Sequence, residues 1–182
     1  MDKKDILQQI EQDTWMMQII ETASKLDLPD WWICAGFIRS KVWDVLHDKD
    51  KRTPIADIDI IYFDPHCLDE QVEKKYEEEL RTMHPGEPWS VKNQARMHQI
   101  NNLPPFSSSV KGIASFPETA TAVGIKTVDG CLRLTAPHGI QDLVNLTVCP
   151  SPGYERGPLH EVYKMRVAKK NWHELWPLLK YK

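Results

Sequence analysis

The chain has 182 residues, 41% hydrophobic and 27% charged, with 26 acidic against 23 basic side chains and a net charge of −3. Such a balance is that of an ordinary globular protein and predicts no general affinity for nucleic acid or for a membrane surface. No run approaches the ~20 apolar residues of a membrane span, Met1-Asp2-Lys3-Lys4-Asp5 lacks a signal-peptide apolar core, and Cys34, Cys67, Cys131 and Cys149 show neither a Cys-x-x-Cys pair nor zinc spacing. The expectation is a single cytoplasmic domain over residues 1–182 with reduced thiols, burying about 70% of its unfolded surface.

Residues 2 to about 27 place Ile6, Leu7, Ile10, Met17, Ile20 and Ala23 near helical spacing, with Asp2 or Asp5 as a cap and a candidate break at Trp15-Met16-Met17. Leu28-Pro29-Asp30 ends this segment, and Trp31-Trp32-Ile33-Cys34 reads as a buried strand running into Ala35-Gly36. Residues 37 to 47 then read as a helix with Ile38, Val42, Trp43, Val45 and Leu46 inward. A helix that starts directly after a glycine turn presents free N–H groups and the positive end of its dipole, a natural seat for a phosphate. Arg39, in the first turn, supplies a bidentate phosphate contact on one reading; on the plainer one it is a surface residue or pairs with Asp44 or Asp48. The charged loop Asp48 to Pro54 leads to Asp57-Ile58-Asp59, which heads a second strand ending at Asp64-Pro65.

Two apart on a strand, Asp57 and Asp59 project to the same face, roughly 6–7 Å apart along the backbone. Two carboxylates at that spacing repel by about 3 kcal/mol at an effective dielectric near 20. Water on both relieves this, and so does a hard divalent cation at a cleft floor; Mg²⁺ is held by one or two carboxylates together with substrate phosphates. Asp64 has the opposite parity and adjoins a proline, so it reads as a turn or cap residue.

Residues 69 to 83 read as a helix with Val72, Tyr76, Leu80 and Met83 on one face and a solvated charged exterior. A short strand covers Trp89 to Lys92. The connector from Asn101 to Phe116 holds one helix beginning near Ser108, and Thr119 to Val128 alternates like a strand. Asp129-Gly130 turns the chain into a partner strand, Cys131 to Thr135, and Pro137 to Leu146 reads as a short helix. From Arg156 onward seven Lys or Arg face only Glu161 and Glu174, with Trp172 and Trp176 interleaved. That tail either contacts RNA by phosphate neutralisation and stacking or packs its tryptophans on the domain and solvates its lysines.

A strand ending in glycine, a helix with an early arginine and a strand bearing Asp-x-Asp resemble the nucleotidyltransferase superfamily of DNA polymerase β. Within it the resemblance is to the head domain of CCA-adding enzymes, with its Gly-Gly-x-x-Arg and Asp-x-Asp pattern. More narrowly, Gly36-Phe37-Ile38-Arg39, Trp43-Asp44, Asp57-Ile58-Asp59-Ile60 and Trp89 through His98 are similar to a family of small bacterial nucleotidyltransferase-like proteins. The likeness extends to Pro117-Glu118-Thr119-Ala120-Thr121 and to the Val162 to Trp172 helix.

The resemblance implies an α/β (α+β) fold, a small mixed sheet with flanking helices. It implies Asp57 and Asp59 as catalytic carboxylates and ligands of Mg²⁺, with Mn²⁺ as a substitute. It also implies an NTP site at Gly36, Phe37 and Arg39, with Lys92 and Arg96 on phosphates and Asn93 on base or ribose. RNA ends, protein hydroxyls and small molecules such as aminoglycosides all serve as acceptors among relatives.

Three departures stand against it. Twenty-one residues, longer than the usual spacing, carry the chain from Gly36 to Asp57, the surplus fitting the charged loop. Phe37 stands for the second glycine and narrows the approach to phosphate. The strand that carries a third catalytic carboxylate in CCA-type heads offers Ser90 instead; Glu87 is out of phase, and Asp142 is the remote candidate or else a helix N-terminal charge. His98 is either a base or a packing residue. The function expected is therefore Mg²⁺-dependent nucleotidyl transfer, with a non-catalytic nucleotide- or RNA-binding module as the rival, and a partner protein docking through its tail helix as a third option.

Overall fold

A computed structural model describes all residues 1–182. Two amphipathic helices open the chain, α1 (Lys3–Glu11) and α2 (Thr14–Ser24). Asp2 and Asp5 close a reciprocal capping box on the first. Asp13 caps the second by accepting from Met16 N–H, so the break falls just before Trp15 rather than within Trp15-Met16-Met17. Strand β1 (Trp32–Cys34), helix α3 (Gly36–Leu46) and strand β2 (Ile58–Tyr62) follow. Helix α4 (Glu70–Met83), strand β3 (Trp89–Asn93) and the short α5 (Gln94–Met97) and α6 (Ser109–Ala114) come next. Strands β4 (Gly124–Val128) and β5 (Cys131–Thr135) meet at Asp129-Gly130, both with positive φ, as a tight hairpin demands. The chain closes with α7 (Gln141–Val144), β6 (Thr147–Val148), α8 (Pro158–Lys170), α9 (Trp172–Leu175) and β7 (Lys180–Tyr181).

Strands β1 to β5 form one mixed sheet in the order β3-β2-β1-β4-β5, in which β2 and β3 are parallel and every other pair is antiparallel. Helices flank it, as an α+β arrangement requires. The alternation of apolar side chains sorts the two faces. Ile33, Ile58, Ile60, Val91 and Ile125 meet Ile6, Ile10, Ile20, Trp43 and Leu80 in the large core, each such side chain contributing about 1.5–3 kcal/mol. The opposite face carries only a small cluster of Trp32, Cys34, Ile61, Ile113 and Ala122. Asp59 shares the parity of Ile61, so it opens onto this thinly covered face.

Two sequence expectations change here. Thr119 to Val123 is a turn, with Thr121 and Ala122 N–H donating to the Glu118 carbonyl, and the strand starts only at Gly124. The charged face of α4 is not simply solvated: Glu73 and Glu77 are buried and reach the open edge of β3. Glu77 accepts from Val91 N–H at 3.1 Å and Glu73 from Asn93 N–H at 2.9 Å, which satisfies edge groups that would otherwise pair with another chain.

Candidate active site

The site is assembled where β1 and β2 lie side by side. Cα register runs Gly124, Cys34, Asp59, Ser90 straight across four strands. Asp57, exposed just before β2, stands beside this row. Directly after β1 the backbone turns at Ala35, whose N–H donates to the Val123 carbonyl, and α3 begins with no side chain capping its first turn. Its N-terminal N–H groups are thus left for an incoming acceptor, as the glycine turn predicted.

Above this floor lies a cavity of about 250 Å³ that takes in Ala35, Asp59, Lys92, Thr121, Tyr154 and Arg166. Its other wall is apolar and comes from α5, α6, the connector between them and the residues just after α6, including Met97, Phe106 and Phe116. Burial first, and then the Asp57 charge, push the Asp59 carboxyl up to about 6, against the pull of the neighbouring Ser90, Arg166 and Lys170. Cys34, fully buried behind it, has its thiol driven well above the ordinary value by burial and by Asp59 and Asp57, which makes it a packing group rather than a nucleophile.

Several side chains expected at the nucleotide take other places. Phe37 is buried against Trp15, ring centroids 5.6 Å apart, and points away from the cleft. The restriction at the turn comes instead from Ala35, at φ 57° and ψ −120°, backbone that favours glycine. Gly36 lies at the cleft with helical φ, and a Cβ there would meet only the Arg39 guanidinium, at 3.6 Å.

Arg39 itself is 6% exposed. Its guanidinium sits over the rings of Trp172 (4.3 Å) and Trp43 (5.1 Å) and donates to Thr121 Oγ1 at 2.9 Å. Burial, only partly offset by Glu118, lowers its pKa to about 10. It pairs with neither Asp44 nor Asp48 and braces the turn from beneath.

Arg96 forms a two-pronged bond with Glu73, at 2.7 and 2.6 Å, and does not line the cavity. Burial opposes ionisation of Glu73, yet Arg96, the Asn93 N–H and Lys92 outweigh it and hold the carboxyl below its usual value. Lys92 does line the cavity while bonding Glu73 at 3.2 Å. Asn93 is 1% exposed and bonds only backbone, donating to the Asp64 and Cys67 carbonyls and accepting from Asp64 and Ala95 N–H. A buried, fully paired amide has nothing left for a base or ribose.

Neither acid weighed as a third carboxylate joins the pair. Glu87 accepts from Trp15 Nε1 and Asp142 from Thr119 Oγ1, and no group of three His, Cys, Asp or Glu side chains is arranged to hold a metal ion. His98 stacks edge-on against Phe106, a packing role. Trp172 and Trp176 are buried against Trp43, so the tail tryptophans are core. The cavity also takes in residues to which the sequence reading assigned no site role: Ala35, Thr121, Tyr154 and Arg166, the last paired with Glu118. Their only local signal was a lone acid in Pro117 to Thr121 and one cation among seven in the tail.

Comparison with known proteins bears on the family and the fold. The model of a family described as nucleotidyltransferase matches residues 21–181. An NMR structure reported to reveal a CCA-adding enzyme head domain superposes with a TM-score of 0.89 at 34% identity, covering 100% of this chain and 96% of that one. A CCA-adding enzyme in complex with CTP superposes at 0.58 with 13% identity, and one with ATP at 0.55 with 15%. This chain covers 43% and 42% of those two, and at that identity they speak for the fold alone. No curated protein matches the sequence at a significant level. No helix is long and apolar enough to cross a membrane.

Proposed function

The chain belongs to the nucleotidyltransferase family, and on that premise we propose that residues 1–182 act as one domain that transfers a nucleoside monophosphate from an NTP to an acceptor hydroxyl. The observation that carries this reading is Asp59 at the floor of the cavity with the exposed Asp57 two residues before it, burial first and then the Asp57 charge raising Asp59 to about 6. A repelling carboxylate pair facing a cleft fits a hard divalent cation whose remaining oxygens come from phosphates and water. Asp57 and Asp59 would hold Mg²⁺, or Mn²⁺ in its place. When bound, that ion neutralises developing charge on the phosphate oxygens.

The chain's own groups bind and orient. The uncapped start of α3 receives an anionic phosphate, Lys92 adds positive charge, and the Phe106, Phe116 and Met97 wall offers the base a dry surface. The acceptor oxygen attacks the α-phosphorus, the bond to the bridging oxygen of pyrophosphate breaks, and the acceptor proton is released to solvent. CTP and ATP, the ligands of the two CCA-adding enzymes of this fold, are the first nucleotides to test.

Ser90, opposite Asp59 where a third carboxylate would help activate the acceptor, favours a second reading: a nucleotide- or RNA-binding module without turnover. A thermal-shift series with each NTP, with and without Mg²⁺, tests the pocket. A ligand at ~100 times its Kd adds about 2.7 kcal/mol, several degrees for a chain of this size. Transfer of label from α-³²P NTP to RNA, protein or small-molecule acceptors separates enzyme from binder. No nucleotide-dependent shift at all would overturn the transferase reading and the nucleotide-binding one, leaving only RNA binding, which titration with RNA tests.

A further inference from the structure

We infer that Arg166 on α8 is the side chain that grips the nucleotide's phosphates, aimed by the buried carboxylate of Glu118, so that the carboxy-terminal helix completes the site. The inference rests on the NTP reading of the cleft and adds to Lys92, which is ion-paired with Glu73, an arginine with a free fork.

A triphosphate brings more negative charge than one divalent ion offsets, beside two carboxylates already on the floor. The cavity lining holds two cations, Lys92 and Arg166. Lys92 is already neutralised by Glu73 at 3.2 Å and Glu70 at 3.8 Å. Arg39 lies beneath the turn, and Arg96 is clamped by Glu73 outside the cavity. Arg166 is the one arginine that lines the cavity, and its terminal nitrogens have no partner in the protein.

Its geometry suits the task. Arg166 donates only through Nε, to Glu118 Oε1 at 2.8 Å, and its side chain keeps 34% of its surface open. That leaves both terminal nitrogens, the fork that matches two oxygens of a phosphate, without a partner in the protein. A guanidinium serving only as counter-ion to Glu118 would engage it through two nitrogens, as Arg96 engages Glu73.

Glu118 is fully buried, and its Oε2 has no hydrogen-bond partner. Its backbone is locked by the turn to Thr121 and Ala122 and by a bridge to Pro150. The same turn sets both arginines: Thr121 accepts from Arg39, and Glu118 accepts from Arg166.

The test is calorimetric titration of inorganic tripolyphosphate, ATP and CTP, each with Mg²⁺, into wild type, Arg166→Ala, Arg166→Lys, Glu118→Gln and the double variant Glu118→Gln/Arg166→Ala. Losing a charge-assisted contact predicts that Arg166→Ala binds about 10–100-fold more weakly. Arg166→Lys recovers only part, since an ammonium lacks the planar fork. Glu118→Gln weakens binding in wild type and not further in the Arg166→Ala background; a merely structural Glu118 would cost the same in both. Melting curves report folding, and if Glu118→Gln does not fold, the two Arg166 variants decide alone. Equal affinity of wild type and Arg166→Ala overturns this inference and leaves the nucleotide site standing. Wild type binding none of the three ligands overturns both.

Discussion

Ser90 lies directly across the sheet from Asp59, in register on the neighbouring parallel strand. A carboxylate placed there would stand with Asp57 and Asp59 as a third acid. Ser90→Asp is expected to lower stability without metal by about 1–3 kcal/mol through like-charge repulsion. It is also expected to tighten Mg²⁺ binding and, where an acceptor is supplied, to raise turnover. Urea melts with and without Mg²⁺ read the first two effects together. A variant whose stability ignores Mg²⁺ would contradict the assignment of this row as the metal floor.

The Asp59 carboxyl, raised to about 6 from an unperturbed 3.8, makes a signed pH prediction. Between those values the folded state holds the extra proton, so this group's contribution to stability falls as pH rises through that window and is lost above it. Relative to Asp59→Asn, wild type should lose up to about 3 kcal/mol between pH 4 and 7 in the absence of metal. Mg²⁺-dependent nucleotide binding should weaken below about pH 6, where the proton competes for the ligand, and vanish in Asp57→Asn/Asp59→Asn. Chemical denaturation and nucleotide titration across this range check both.

Ala35 holds a glycine-type conformation, while Phe37 holds none of the cleft. Ala35→Gly removes backbone strain of about 1–3 kcal/mol against a loss of up to ~1 kcal/mol in chain entropy, so the melting temperature should rise by a few degrees. Phe37→Ala empties a core position and should cost about 3–5 kcal/mol. Nucleotide affinity of the folded Phe37→Ala protein should not change. A large loss of affinity there would restore Phe37 to the site.

Glu73 supports the β3 edge, Lys92 and Arg96 at once. Glu73→Ala leaves buried donors unpaired and is expected to cost about 3–5 kcal/mol. Its carboxyl sits below the unperturbed 4.5, so its contribution is complete above that pH and is lost as pH falls through the lower, folded value. Acid unfolding of wild type should therefore be steeper below pH 4.5 than that of Glu73→Gln, as circular dichroism titration would show.

Much of the fold was legible because its signals are local. The Asp129-Gly130 hairpin, the helix that opens at Gly36 and the parity that sets Asp59 and Ile61 on one face each depend on a few neighbouring residues, whereas Asp57 falls just outside the strand expected to start with it. The limits of such reading show in α4, where a helix rich in Glu and Lys reads as a solvated face whether or not a strand edge lies beneath it. Glu73 and Glu77 look like any exposed glutamates until β3 is seen to offer them unpaired N–H groups.

By itself the sequence determined the family likeness, the longer helices, the strands of the main sheet to within a few residues and the Asp-x-Asp motif, since strand alternation and turn chemistry act over a handful of residues. The tertiary structure alone decided which cations reach the cleft. Arg39 meets Thr121 across 82 residues and Arg166 meets Glu118 across 48, and nothing near either arginine in the chain distinguishes the buried brace from the open fork. A periodic pattern tells which side chains share a face. What covers that face, and hence which charge stays free, follows from contacts that exist only once the chain is packed.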